Sequence, residues 1–492
     1  MRDVRLIHSA ASRRQQGLRG RQIDSDLFRA DACTIVDPLR HDEVSPRDLL
    51  GVLERRIASV DSTVNALPTL CFDRAYAHAD SLSSKPAQER GVLAGLPIVI
   101  KDLTDVAGVR TTYGSPIFRD HVPQRSDIVV EMLESRGGIV FAKSNTPEFG
   151  AGANTFNEVF GATRNPWNLA RSAAGSSGGA AVALATGMAW LAHGTDLGGS
   201  LRNPASFCGI VGMRPSIGRV AHTPVAKIDR TLSAHGPMAR TVADLALLLD
   251  AMAGEHPADP LSLPAMPTSF LVATRSGHLP KRVAYSATLG VTPVDTEIAA
   301  ITRAAAERFA QAGVVVEEAH PDLSDVHNCF HVLRAYDYAV SKAELLRRHR
   351  DLLKPEVVWN IEKGLALTIE ELERAEAQRV ELTAKTLRFF ATYDLLLTPA
   401  TIVPPFPVEQ RYVTECDGTT FTNYLDWLAI AYAITMVCCP ALSLPCGFTA
   451  EGLPVGLQIA GPPRSEARIL AAAKLLEDIL GLRGTTPIDP RG

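Results

Sequence analysis

A large α/β fold, with a mixed and mostly parallel central β-sheet flanked by helices, is predicted for this chain by three observations. Apolar strand-like runs recur along its 492 residues and alternate with stretches of helical periodicity. The clearest of them read strand, helix, strand, the βαβ pattern of a parallel sheet. The composition, 46% hydrophobic and 21% charged, is that of a globular chain able to bury a sizeable core.

Taken in order, residues 1–42 read as an arginine-rich N-terminal extension carrying Arg2, Arg5, Arg13, Arg14, Arg19, Arg21 and Arg29 with little apolar periodicity. Arg13-Arg14 is a twin-arginine pair with no apolar segment behind it, so an export signal is not the expected reading. At Ser45-Pro46 a helix should begin, with serine as cap and proline at its first position. Leu49, Leu50, Leu53, Ile57 and Val60 then follow at helical spacing. Asn65–Cys71 reads as a strand and Asp73–Leu82 as a helix. Gly95–Ile100 and Gly138–Ala142 are strands, with a helix between them marked by Ile128, Val129, Met132 and Leu133. Further strands are expected at Val283–Tyr285, Val314–Val316, Leu395–Leu397, Ala441–Leu444 and Val455–Ile459. Helices are expected at Ala243–Met252, Thr296–Gln311 and Glu466–Leu480. Residues 43–492 form one expected domain, within which 257–399, including the charged helical stretch Tyr338–Phe390, is a candidate substrate-covering region.

A formal net charge of −4 gives no sign of a nucleic-acid or membrane partner, and no run of 18 apolar residues suggests a membrane span. The eight cysteines form no CxxC pair and mostly sit in apolar surroundings, as free buried thiols of a cytoplasmic protein would.

Three segments carry candidate chemistry. Gly194-Thr195-Asp196-Leu197-Gly198-Gly199-Ser200 places small residues just before a serine, so that backbone N–H groups can converge on a developing oxyanion. Gly175-Ser176-Ser177-Gly178-Gly179 is a serine-glycine loop entering a small-residue helix. Lys101 ends the apolar strand Gly95–Ile100, where burial would favour its neutral, basic form. Each alone is compatible with a plain turn or a solvated strand cap. The same loop matches the nucleophile-elbow pattern centred on Ser177, but a turn rather than a strand precedes it and no histidine follows His349.

Together the segments are more specific. The run Gly175–Gly218, with Phe207-Cys208-Gly209-Ile210-Val211-Gly212-Met213-Arg214-Pro215, resembles the signature of the amidase signature family of Ser–Ser–Lys hydrolases. The resemblance extends to Lys101-Asp102, Lys143–Phe149, Ala162–Trp167, Pro440–Pro445 and Gly456–Ile459, and so covers roughly residues 43 to 480. It implies that Ser200 is the acylated nucleophile and Lys101 a neutral base. Ser176, preceded by a cis peptide bond, would pass the proton between them. It further implies an oxyanion hole from the N–H groups of Leu197, Gly198, Gly199 and Ser200, bracing roles for Asp196 and Arg202, and a structural role for Ser177. Gly150 and Gly152 match acyl-pocket positions, where two glycines suggest room for an aryl or bulky acyl group. No metal or cofactor is implied.

Departures from the family pattern are Ala174-Gly175 for a glycine pair, Leu197 for threonine, and Met213-Arg214 for leucine-lysine. The first two act mainly through backbone. The expected function is hydrolysis of a small-molecule amide, with carbamates and ureas as further substrates, by a chain that family habit would make a homodimer. Two alternatives stand beside it: the A subunit of a tRNA-dependent amidotransferase, and a family member reduced to binding.

Overall fold

The computed structural model describes residues 26–223, 231–277 and 279–492. The arginine-rich leader up to residue 25 lies outside the described residues. Eleven strands form the main sheet: β1 (Thr69–Leu70), β2 (Pro97–Lys101), β3 (Ile139–Ser144), β4 (Leu191–Asp196), β5 (Val211–Arg214), β6 (Ala234–Ala239), β7 (Arg282–Tyr285), β8 (Val315–Glu318), β9 (Leu395–Pro399), β10 (Ala441–Phe448) and β11 (Pro454–Ala460). Their spatial order is β1-β3-β2-β4-β6-β5-β10-β11-β9-β7-β8.

The large mixed sheet agrees with the sequence, but its balance does not. Four neighbouring pairs are parallel (β2 with β3 and β4, β7 with β8 and β9) and six are antiparallel. The parallel ladders sit on the two flanks. The antiparallel centre is built largely from β4, β5 and β6, none of which the apolar pattern marked. Their sequences, Leu-Ala-His-Gly-Thr-Asp, Val-Gly-Met-Arg and Ala-His-Gly-Pro-Met-Ala, lack the β-branched runs that signal a strand. Packing on both faces overrides that weak propensity: Leu191, Ala192, Val211, Met213, Met238 and Ala239 are fully or almost fully buried.

The domain also begins earlier than position 43. A helix spans Ala32–Arg40, with Ala32, Ile35, Val36 and Leu39 in the core, and Cys33 N–H donates to Asp244 Oδ1 at 2.8 Å. Pro38 inside it and the arginine-rich flank disguise it in the sequence. The next helix, Pro46–Val64, starts as expected: the Ser45 hydroxyl accepts from Asp48 N–H, the Asp48 carboxylate caps back onto Ser45, and Pro46 takes the first position. One apolar cluster runs from Phe28 to Leu476.

A helical layer of Val326–His349, Pro355–Leu365 and Ile369–Phe389 lies within the candidate covering region and takes in most of its charged helical stretch. Among the described residues no helix is long and apolar enough to cross a membrane.

Candidate active site

Lys101 is the last residue of β2, and Thr195-Asp196 end the neighbouring parallel strand β4. The site therefore forms at the carboxyl ends of parallel strands, where open α/β sheets place their ligands. Lys101 is fully buried. Its Nζ donates to Ser176 Oγ at 2.6 Å, to Ser177 Oγ at 2.9 Å and to Thr195 Oγ1 at 2.9 Å. All three are neutral hydroxyls. Burial pushes the amine well below its ordinary value of 10.5, against the smaller opposing field of Asp196.

The peptide bond Gly175–Ser176 is cis, the bond that the family resemblance implies. Ser177 starts the helix Gly178–Ala185 but makes no side-chain cap. Its Oγ instead accepts from Lys101 and donates to Thr195 O at 3.3 Å, while its N–H donates to Ser200 O at 3.2 Å. Ser177 thus ties the two serine segments together. It is fully buried and absent from the cavity wall, which removes the elbow reading.

Beyond β4 the chain turns through Leu197–Leu201 into the helix Arg202–Cys208. Asp196 organises that turn. Its carboxylate accepts from Gly199 N–H at 2.9 Å, Leu201 N–H at 3.1 Å, and Arg202 Nε and Nη2 at 3.0 and 2.8 Å. Arg202 Nη1 reaches Gln458 Oε1 on β11 at 2.6 Å and Ala431 O at 2.8 Å, anchoring the loop to the other half of the sheet. Burial alone would raise the Asp196 carboxyl, but Arg202, with support from Arg214, holds it well below the usual carboxylate range. The expected bracing by Asp196 and Arg202 is visible in these bonds.

Gly199 sits at φ +112°, and a Cβ there would lie 2.7 Å from Ala431 Cβ, so the turn requires glycine. Its N–H, however, is already given to Asp196, and Gly199 does not line the cavity. Leu197, Gly198 and Ser200 line the cavity. An Asp196→Ala substitution would leave Arg202 charged and buried without its anion. It is expected to destabilise the fold by about 3 kcal/mol or more, measured as a lowered urea midpoint.

Ser176, Thr195, Leu197, Gly198 and Ser200 form the floor of a cavity of about 570 Å³. Its walls come from Tyr113, Phe118 and Phe149 on one side and from Phe330, Arg334 and Tyr338 of the helix Val326–His349 on another. Among the described residues no group of three or more histidines, cysteines or carboxylates is placed to hold a metal ion.

A family model, Amidase, matches residues 48–470. This chain belongs to the amidase family. It is an amide hydrolase, and its relatives span two activities. An acylamidase of Rhodococcus erythropolis is 35% identical over 473 residues, covering 95% of this chain and 98% of the relative. The A subunit of the glutamyl-tRNA(Gln) amidotransferase of Moorella thermoacetica is 34% identical over 484 residues, covering 92% and 97%. Among solved structures, a bacterial aryl acylamidase of the amidase signature family superposes with a TM-score of 0.86 at 26% identity over 93% of this chain and 99% of its own. The 6-aminohexanoate cyclic dimer hydrolase gives 0.85 at 26% identity over 94% and 99%.

In this amidase Gly150 and Gly152 both line the cavity, but they adjoin different groups. A Cβ on Gly150, at φ +75°, would lie 3.2 Å from Ser176 Oγ, so its bare Cα makes room for the serine as well as for a ligand. A Cβ on Gly152 would lie 3.1 Å from Lys354 Nζ, which donates to Ala151 O at 2.8 Å and fixes this loop to the helical layer. Sequence reasoning missed Thr195, the third hydroxyl on Lys101, whose only signal was its place one residue before Asp196. It also missed Arg334 and Tyr338 as cavity residues, whose only signal was a spacing of four residues within the candidate covering region.

Proposed function

We propose that this amidase hydrolyses a small-molecule amide with an aryl or bulky acyl group through an acyl-enzyme on Ser200. The observation that carries the reading is the 2.6 Å contact between buried Lys101 Nζ and Ser176 Oγ, on the floor of the cavity that Ser200 also lines. With the amine neutral, that contact reverses its polarity: Ser176 O–H donates to the Nζ lone pair, while the two remaining N–H bonds serve Ser177 and Thr195.

Ser176 Oγ then passes its own proton to Lys101 Nζ and takes the proton of Ser200 Oγ as Ser200 attacks the amide carbon. The N–H groups of Leu197, Gly198 and Ser200 receive the oxyanion, where a single donor is worth about 3 kcal/mol. The proton held by Lys101 returns through Ser176 to the leaving nitrogen, and the C–N bond breaks. Water repeats the sequence on the ester, giving carboxylate and free enzyme. The aromatic walls and the helical layer above them would cover an acyl group of this kind.

A fluorophosphonate is expected to modify Ser200, located by peptide mass spectrometry. An adduct at Ser177, or none under conditions that label a related amidase, would reject the assignment. The strong match to amidotransferase A subunits favours a second reading, in which the chain works within a tRNA-amidating complex. Stable co-purification with partner subunits would support it.

A further inference from the structure

We propose that Arg334 and Tyr424 form a carboxylate-binding subsite in the cavity, so that the preferred substrate is an amide carrying a second, anionic group a few bonds from the scissile bond. The inference rests on the amidase reading above for the word substrate, and on the following geometry for the subsite.

Arg334 is only 6% exposed and lines the cavity. Its hydrogen bonds go to phenols alone: Nη2 to Tyr424 Oη at 2.8 Å and to Tyr338 Oη at 3.3 Å, and Nε to Tyr424 Oη at 3.3 Å. Nη1 makes no hydrogen bond, and no carboxylate lies within ion-pair distance of Arg334, among the described residues. Asp337, three residues along, also lines the cavity and adds a favourable field at Arg334. The two rings lie under the guanidinium at 4.7 and 5.7 Å, which offsets part of the desolvation. A buried cation is costly without an anion, and a guanidinium fork is shaped for a carboxylate.

Tyr424 supplies the second contact. Its oxygen accepts from Arg334 and, at 2.5 Å, from Asn360 Nδ2. Both lone pairs are then engaged, and among the described residues the phenolic hydrogen has no acceptor. Tyr424 also lines the cavity, so this hydrogen and Arg334 Nη1 are two donors left for one ligand.

The reach follows from the helix. Phe330, Arg334 and Tyr338 are spaced four residues apart on Val326–His349 and all line the cavity. Phe330 abuts the nucleophile loop, since a Cβ on Gly198 would lie 3.2 Å from its ring. Arg334 is therefore about 6 Å further along the axis. That distance suits a carboxylate three to five bonds from the amide.

Binding tests this without requiring turnover. In the Ser200→Ala protein, dissociation constants are measured by calorimetry for two pairs of amides. One is glutaric acid monoanilide against N-phenyl-5-methylhexanamide. The other is N-benzoyl-β-alanine against N-(3-methylbutyl)benzamide. In each pair an isopropyl group replaces the carboxylate, on the acyl side in the first and on the amine side in the second. At least one carboxylate is expected to bind about tenfold tighter than its isostere. Adding Arg334→Met should reduce that ratio to near unity, and Tyr424→Phe, which removes one O–H and leaves the ring, should lower it in part. Equal affinities within both pairs, or a preference that survives Arg334→Met in a folded protein, would overturn the proposal. Turnover of any of these amides by the parent protein reports separately on the amidase reading.

Discussion

Replacing Ser200 with alanine is expected to lower kcat for a chromogenic anilide by about 10⁴-fold or more, the scale seen when an acyl-enzyme loses its nucleophile. Ser176→Ala should cost about 10² to 10⁴, the range for a positioned proton-transfer group, because water can enter the space between Lys101 and Ser200. The order of the two effects is what the geometry dictates. Ser176 Oγ is held 2.6 Å from the buried amine, whereas Ser200 sits on the loop whose Leu197 and Gly198 flank the cavity. Nitroaniline release after active-site titration measures both. A Ser200→Ala protein retaining more than about one part in a hundred of the activity would rule out a covalent intermediate on that residue. A Ser176→Ala protein with undiminished kcat would remove Ser176 from the proton path.

Much of this candidate site was legible because the chemistry proposed for it rests on short local segments. Gly198-Gly199-Ser200, Ser176-Ser177 and Lys101 each announce themselves by residue type, and the structure brings Ser176, Gly198 and Ser200 to one cavity floor with Lys101 directly behind it. What stayed hidden depends on direction rather than identity. Nothing in a glycine pair says that the Gly199 N–H is given to the Asp196 carboxylate. The strands β4, β5 and β6 hid for a related reason: their histidines, glycines and Pro237 give no β signal, and only burial in the sheet centre makes them strands. Missing three adjacent central strands is what made the sheet look mostly parallel. Arg334 was unreadable too, because an arginine on a helix looks solvated until the helix is laid over a cavity.

The pH profile should follow Lys101. In the proposed mechanism its neutral form is the base, and burial sets its folded pKa well below 10.5. For a substrate limited by chemistry, kcat/KM is expected to rise with unit slope as pH climbs to that depressed pKa and then to level off. A profile with no acid limb at any pH where the protein stays folded would sink the neutral-lysine base. His193 cannot mimic the effect in this window, since burial above all pushes it down to about 3.

Stability gives an independent readout of the same group. Between the depressed folded pKa and the ordinary value, the unfolded chain binds one proton more at Lys101 than the folded protein does. Stability therefore rises with pH across that window, by at most about 1.4 kcal/mol per unit, and this contribution is lost as pH falls. Lys101→Met has no such proton. Its stability relative to the parent should be greatest at low pH and decline as pH rises, while its kcat is lower by about 10³-fold. Parallel stability curves for the two proteins would mean that Lys101 stays charged in the fold, and the proton path through Ser176 would then need another acceptor.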